Sequence, residues 1–229
     1  MLSEMVRNGW LLRLKEGLYF RVPQERDPDR YIPNWHITAS CLVGDREFYI
    51  AYYSALEIHS LITQPALRER VVVKRQIKPS LIKLQGIEFQ FICHNDKHFF
   101  GFTKTKIDKY DKVMCSDLEK TIIDCLYKPE YANGIVEVAK AIYKVMDIIN
   151  YDKLLSYMHR FDSQAVIKRF GFLVNLLEID TPITDELLEI RSSAYTPLDP
   201  SMPKEGKMAS KWCILVNEDL DTIIQAPHS

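Results

Sequence analysis

Three groups of residues have types and spacings suited to chemistry. The first is cationic: Arg13, Lys15 and Arg21 flank a Glu16-Gly17 turn between two short apolar runs, just after Ser3, Arg7 and Asn8. Arginine and lysine on a tight turn suit contact with phosphate oxygens or a nucleic-acid groove. The second is Asp117, Lys120 and Asp124, spaced along one side of a helix. Two carboxylates and a lysine are the equipment of nucleases and phosphotransferases. The competing reading is structural. Asp117 suits a helix N-terminus by the dipole, and Asp124, set among apolar residues, suits an internal ion pair. The third is Cys93, His94 and His98, a metal-like cluster that lacks an obvious fourth ligand and straddles a turn, so no metal is expected.

The elements that must position these residues can be read from periodicity. Leu2, Met5 and Val6 recur at helical spacing, and Asn8-Gly9 stops the helix. Trp10, Leu12 and Leu14 alternate with Leu11, Arg13 and Lys15, which predicts a strand, and Leu18 to Val22 predicts its antiparallel return. Helix, strand, basic turn and strand is the closing third of a winged helix. Pro23, Pro28 and Pro33 punctuate a polar stretch, so 1–22 is expected as a winged-helix remnant, 23–33 as a linker and 34–229 as the main domain.

In the main domain Asn34 is expected to cap a helix from Trp35 to about Val43 that Gly44 ends, and a second helix holds Ser54 to Leu61. Strands follow at Arg70 to Lys78, Ile87 to Cys93, His98 to Lys104 and Val113-Met114, an alternation that predicts an antiparallel sheet with one wet, basic face. Lys74, Arg75, Lys78, Lys104 and Lys106 are its candidate phosphate-binding or functional cations. Ser116 to Glu119 reads as a capping box opening a helix to Tyr127. Helices follow from Gly134, over Asp152 to Arg160, from Ser163 to Ile179 and from Thr184 to Arg191. Lys168 and Arg169 are expected to be solvated or to face the ligand of the sheet. Gly171, costly inside a helix, is expected at a close helix crossing. Trp212 to Val216 predicts a late strand returning to the sheet. The fold class is therefore α+β: a partial winged helix, then a mixed domain with an antiparallel sheet and a C-terminal helical cluster.

Composition bounds the function. The 229 residues are 47% hydrophobic and 27% charged with a net charge of −1, which argues against a protein coated all over for nucleic acid. The charge is uneven, at +6 from Arg68 to Lys112 and −6 from Gly171 to Ser229, so a basic middle can draw in phosphate while the acidic tail repels it or folds over it. The alternative is that the two blocks neutralise each other within one domain. No apolar run approaches the length of a membrane span, and no signal-peptide core opens the chain. Five scattered cysteines without a CxxC predict neither disulfides nor zinc and fit a reducing cytoplasm.

The segments NGWLLRLKEGLYF, YYSALEIHSLITQ, SDLEKTIIDCLYKPEYANGIVEVAKAI, AVIKRFGFLVNLLE and YTPLDPSMPKEG…KWCILVN, with the basic strands between them, follow one another as they do in a known family. In their order and spacing, over nearly the whole chain, the sequence resembles the AbiEi antitoxins of type IV toxin–antitoxin systems, transcriptional regulators of viral (phage) defence. The resemblance implies a winged-helix DNA-binding domain joined to an α+β antitoxin domain. It implies repression of its own operon through double-stranded inverted repeats upstream. It also implies action against a nucleotidyltransferase toxin without a stable complex, with no catalysis and no cofactor. Ser3, Arg7 and Asn8 then fall where a recognition helix leaves the major groove, and Arg13, Lys15 and Arg21 on the wing. The first helices of a full winged helix are not in the sequence, and the oligomeric state stays open.

Overall fold

The computed structural model describes residues 1–22, 34–62, 64–84, 86–109 and 111–228. The linker expected at 23–33 lies outside the described residues. The chain starts with a short helix, α1 (Leu2–Arg7), and an antiparallel ribbon of β1 (Leu11–Lys15) and β2 (Leu18–Arg21), as the alternation predicts. Cross-strand pairing sets Leu11 opposite Arg21 and Arg13 opposite Tyr19, so these four share one face. Leu12 and Phe20 pair on the other face.

Next comes α2 (Trp35–Val43). The Asn34 side chain accepts from the amides of His36 and Ile37, and Gly44 follows the last turn, as expected. The helix is tied down by His36, whose Nδ1 lies 2.8 Å from the buried Glu69 carboxylate. A six-stranded sheet is built from β3 (Phe48–Ile50), β4 (Arg68–Val73), β5 (Leu81–Leu84), β6 (Ile87–Cys93), β7 (Phe102–Lys106) and β8 (Lys112–Ser116), in the order β5-β6-β4-β3-β8-β7. Between β3 and β4 runs α3 (Tyr52–Ile58).

The sheet is mixed, which corrects the antiparallel expectation. β3/β4, β5/β6 and β7/β8 are antiparallel, but β4/β6 and β3/β8 are parallel. Among the described residues the centre of the sheet also lacks the expected wet, basic face. Val71, Val73, Phe89 and Phe91 pack against α2 and the ribbon, while Val72 and Ile92 pack against the helices on the other side. A central strand buried on both faces is hydrophobic without interruption, which is why Val71-Val72-Val73 stand in a row.

The helical layer comprises α4 (Leu118–Tyr127), a 3-10 turn (Pro129–Ala132), α5 (Ile135–Val145), α6 (Tyr151–Phe161), α7 (Gln164–Leu176), α8 (Thr184–Ile190) and α9 (Leu220–Gln225). Asp117, not Ser116, caps α4: its side chain accepts from the Lys120 amide, while Ser116 ends β8. The late strand does not return to the main sheet. β11 (Ile214–Val216) pairs with β9 (Thr196–Pro197) and β10 (Lys207–Ala209) in a separate three-stranded sheet. Gly171 does mark a close approach, but to a ring and not a helix: a Cβ there would lie 2.3 Å from atoms of the buried Trp212 indole. The molecule is an α+β fold. Among the described residues no helix is long and apolar enough to cross a membrane.

Candidate nucleic-acid interface

The ribbon is one-sided. Leu14 is buried, and Leu12, Leu18 and Phe20 pack beside it on a cluster formed by α2, β4 and β6. Fixing one face of an alternating ribbon fixes the other, because side chains point to opposite faces with period two. Arg13 and Arg21 therefore stand in solvent on the outer face. Ser3, Arg7 and Asn8 are exposed on and beside α1, none of whose residues is buried. Among the described residues no carboxylate lies within ion-pair distance of Arg7, Arg13 or Arg21.

Lys15 has an internal partner as well. Its Nζ donates to the Leu42 carbonyl oxygen at 2.9 Å, near the C-terminal end of α2. That carbonyl is one of the acceptors a helix leaves unpaired at its end, and a cation there is favoured by the dipole. Lys15 thus clamps the ribbon to α2 while remaining exposed.

The second-rank cations do not form one surface. Lys74 is divided between Glu47 at 3.7 Å and Asp96 at 3.3 Å, which neutralise it. The hydrogen bond to Asp96 holds its ammonium above the ordinary lysine range. Arg75 and Lys78 are exposed in the connection after β4, and Lys104 and Lys106 are exposed on edge strand β7, at the far end of the sheet from β5. Lys168 and Arg169 are neither solvated nor ligand-facing. Lys168 is buried, with its Nζ donating to the Ser192 hydroxyl at 2.8 Å and to the Ala194 carbonyl oxygen. Arg169 donates to the carbonyl oxygens of Leu126 at 2.7 Å, Tyr127 at 3.1 Å and Pro197 at 3.0 Å, and burial pulls its pKa down to about 10. Both pin the irregular tail to the helical layer.

The Asp117–Lys120–Asp124 set resolves into structural parts. Asp117 Oδ2 accepts from the Tyr157 hydroxyl at 3.0 Å and pairs with Lys153 at 3.2 Å, besides capping α4. Lys120 and Asp124 form an ion pair with both side chains at 0% exposure, so the three do not converge on an open cleft. The Lys120 ammonium sits 5.0 Å from the Phe161 ring centroid and 5.3 Å from those of Tyr49 and Phe100. Gly101 permits this packing. Its φ is +70, and a Cβ would lie 2.9 Å from both Lys120 Cβ and Tyr157 Cε2. Burial pushes the Lys120 ammonium toward its neutral form and the Asp124 carboxyl likewise, and each opposes the shift of the other.

The same network absorbs the histidines. Tyr49 Oη donates to Asp124 Oδ2 at 3.2 Å and lies 3.3 Å from His94 Nδ1, while Tyr52 Oη lies 2.8 Å from His94 Nε2. Burial, reinforced by the positive charge of Lys120, lowers the His94 pKa to about 3. Tyr52 adopts a left-handed φ of +54 where β3 turns into α3. That conformation costs roughly 1–2 kcal/mol for a residue with a Cβ, offset here by a fully buried ring and its hydroxyl contact. His98 Nε2 lies 3.1 Å from the Phe161 carbonyl oxygen, and Cys93 Sγ turns out toward the surface. Among the described residues no group of three or more His, Cys, Asp or Glu is placed to hold a metal ion.

Sequence reasoning missed Lys128 and Tyr131, which line one cleft with Lys78, and Arg70, which packs on the Tyr131 ring. Arg70 reads as a strand residue and Lys128 as a helix end, and nothing in their periodicity signals that they meet.

No family model and no curated protein matches the chain. Among solved structures, the crystal structure of the RV2827C protein from Mycobacterium tuberculosis matches with a TM-score of 0.72 at 13% identity, covering 100% of this chain and 82% of that one. At that identity the likeness shows the fold alone.

Proposed function

We propose that this protein is a non-enzymatic antitoxin of a type IV toxin–antitoxin system. In this reading it represses its own operon by binding double-stranded DNA, acts in the cytoplasm, and counters a nucleotidyltransferase toxin without a stable complex. The resemblance to the AbiEi family supplies the biological frame. The observation that carries the DNA-binding part is the one-sided ribbon, with Leu12, Leu14, Leu18 and Phe20 anchored behind and Arg13 and Arg21 exposed in front.

A ribbon pressed against phosphates must be held from the rear, or its ordering entropy is lost on binding. Arg13 and Arg21 meet backbone phosphate or the minor groove. Ser3, Arg7 and Asn8 lie at the groove entrance. Arg75, Lys78, Lys104 and Lys106 remain as cations of the larger body for DNA backbone or antitoxic action. Lys15 positions the ribbon and contacts no DNA.

The test is fluorescence anisotropy on a duplex from upstream of the operon, over a range of salt. R13A/R21A is expected to weaken binding and to reduce the slope of log affinity against log salt by about 2, one per lost phosphate contact. K15A is expected to lower thermal stability and leave the slope unchanged. An R13A/R21A protein that binds like the parent at every salt concentration defeats the reading.

A further inference from the structure

Away from the ribbon, the helical face of the sheet is left open at its β5/β6 end. A cleft of about 490 Å³ lies there between β6, the connection from β4 to β5, and the 3-10 turn after α4. Its walls bring together Gln76, Lys78, Ser80, Gln90, Lys128 and Tyr131. The size is that of a small-molecule site. Its position is also that of one. β4 and β6 are parallel neighbours, and the cleft adjoins their carboxyl ends, where Val73 leads to Gln76 and Lys78 and where Ile92 and Cys93 close β6.

The electrostatics select the ligand. Two lysines line the cleft, and no carboxylate does among the described residues. A third cation stands behind the wall. Arg70 donates to the Gln90 side-chain oxygen and, at 3.4 Å, to the Tyr131 carbonyl oxygen, both neutral acceptors. Its neighbour Arg68 pairs with Glu88, whose charge also acts on Arg70 through space, and among the described residues Arg70 makes no ion pair of its own. Burial and that neighbour pull the Arg70 pKa down to about 10, which leaves it charged at neutral pH. Tyr131 lines the cleft, its ring held in place by Lys128 Nζ at 5.4 Å and Arg70 Cζ at 5.3 Å from the centroid and by the Tyr52 ring at 5.2 Å in a T-shaped contact. Gln76 Nε2 donates to the Ile77 carbonyl oxygen at 2.9 Å and Gln90 Oε1 accepts from Arg70, which leaves the Gln76 oxygen and the Gln90 amide nitrogen for the edge of a heterocycle.

We propose that this cleft binds a nucleoside polyphosphate, with its phosphates between Lys78 and Lys128 and its base against Tyr131. A concave site of this volume suits a free nucleotide better than the convex backbone of a duplex. The proposal is independent of operator binding by the ribbon.

Isothermal titration of the full chain with ATP tests it, with pyrophosphate and adenosine as separate ligands. ATP is expected to bind saturably to one site, and K78A and K128A each to weaken it about tenfold with unchanged thermal melting. Y131L is expected to weaken ATP more than pyrophosphate. K104A/K106A, at the opposite edge of the sheet, is expected to leave both unaffected. Absence of saturable ATP binding overturns the proposal, as does an equal loss in K104A/K106A, which would indicate general attraction to surface charge. Pyrophosphate binding as tight as that of ATP and indifferent to Y131L overturns the nucleoside assignment.

Discussion

A single methyl group separates Gly171 from a residue that would fit a helix better. Alanine is favoured over glycine in a helix interior by about 1 kcal/mol. Here that preference loses, because the added Cβ would lie 2.3 Å from the Trp212 ring, well inside van der Waals contact. Trp212 has little room to retreat. It is 1% exposed, and its Nε1 donates to Asn175 Oδ1 at 2.6 Å. G171A is expected to destabilise the protein by about 1–3 kcal/mol or more, the range of an overpacked core, read from urea unfolding followed by tryptophan fluorescence. The same close contact explains why a glycine in an apolar helix was informative as sequence: its cost demands a neighbour. What the neighbour is, helix or ring, depends on a residue 41 positions later that no local pattern connects to it.

At the scale of an element, α4 carries its charge on the inside. Lys120 and Asp124 are one helical turn apart and both fully buried, with Tyr49 Oη 3.0 Å from the ammonium and also bonded to the carboxylate. Removing two charges from water costs several kcal/mol each, so the pair is stable only as a pair. D124A is expected to cost about 3–5 kcal/mol by leaving the ammonium uncompensated, whereas K120M/D124L should recover most of that loss. A double-mutant cycle in urea measures the coupling. If D124A were near neutral, the ion pair would not be what holds α4 against the sheet. Periodicity did place Lys120 and Asp124 on one side of one helix. It left open whether that side met a cleft or a core, because burial is decided by the Tyr49, Phe100 and Phe161 rings brought from other elements.

Across the whole molecule, the buried imidazole of His94 couples folding to acidity. Burial and the charges of Lys120, His98 and Lys128 hold its pKa at about 3 against an ordinary value of 6.5. Between those values the unfolded chain takes up a proton that the folded chain refuses, so stability falls as pH falls from about 6.5 toward 3. Each unit is worth about 1.4 kcal/mol, so roughly 3 kcal/mol is lost by pH 4.5 through this group. H94Q keeps a side chain able to meet both tyrosine hydroxyls and has no proton to gain. Its urea midpoint is expected to change less with pH than that of the parent over this window, and parallel curves for the two proteins would show that His94 is not the sensor.

The sequence by itself determined the local pieces: the ribbon from Leu11 to Arg21, the Asn34 cap and Gly44 stop of α2, and the succession of helices after Asp117. Periods of 2 and 3.6 and the chemistry of caps and turns are properties of neighbouring residues, so they survive being read in isolation. The tertiary structure alone decided strand order and direction, since a strand alternates identically whether its neighbour runs parallel or antiparallel. It also decided what each charge does. A lysine is a lysine at positions 15, 104 and 168, yet one clamps a helix end, one faces water and one is buried against a serine hydroxyl and a carbonyl oxygen. Desolvation and partnership, which separate a binding cation from a structural one, are set by whatever packs over the side chain, and that arrives from elsewhere in the chain.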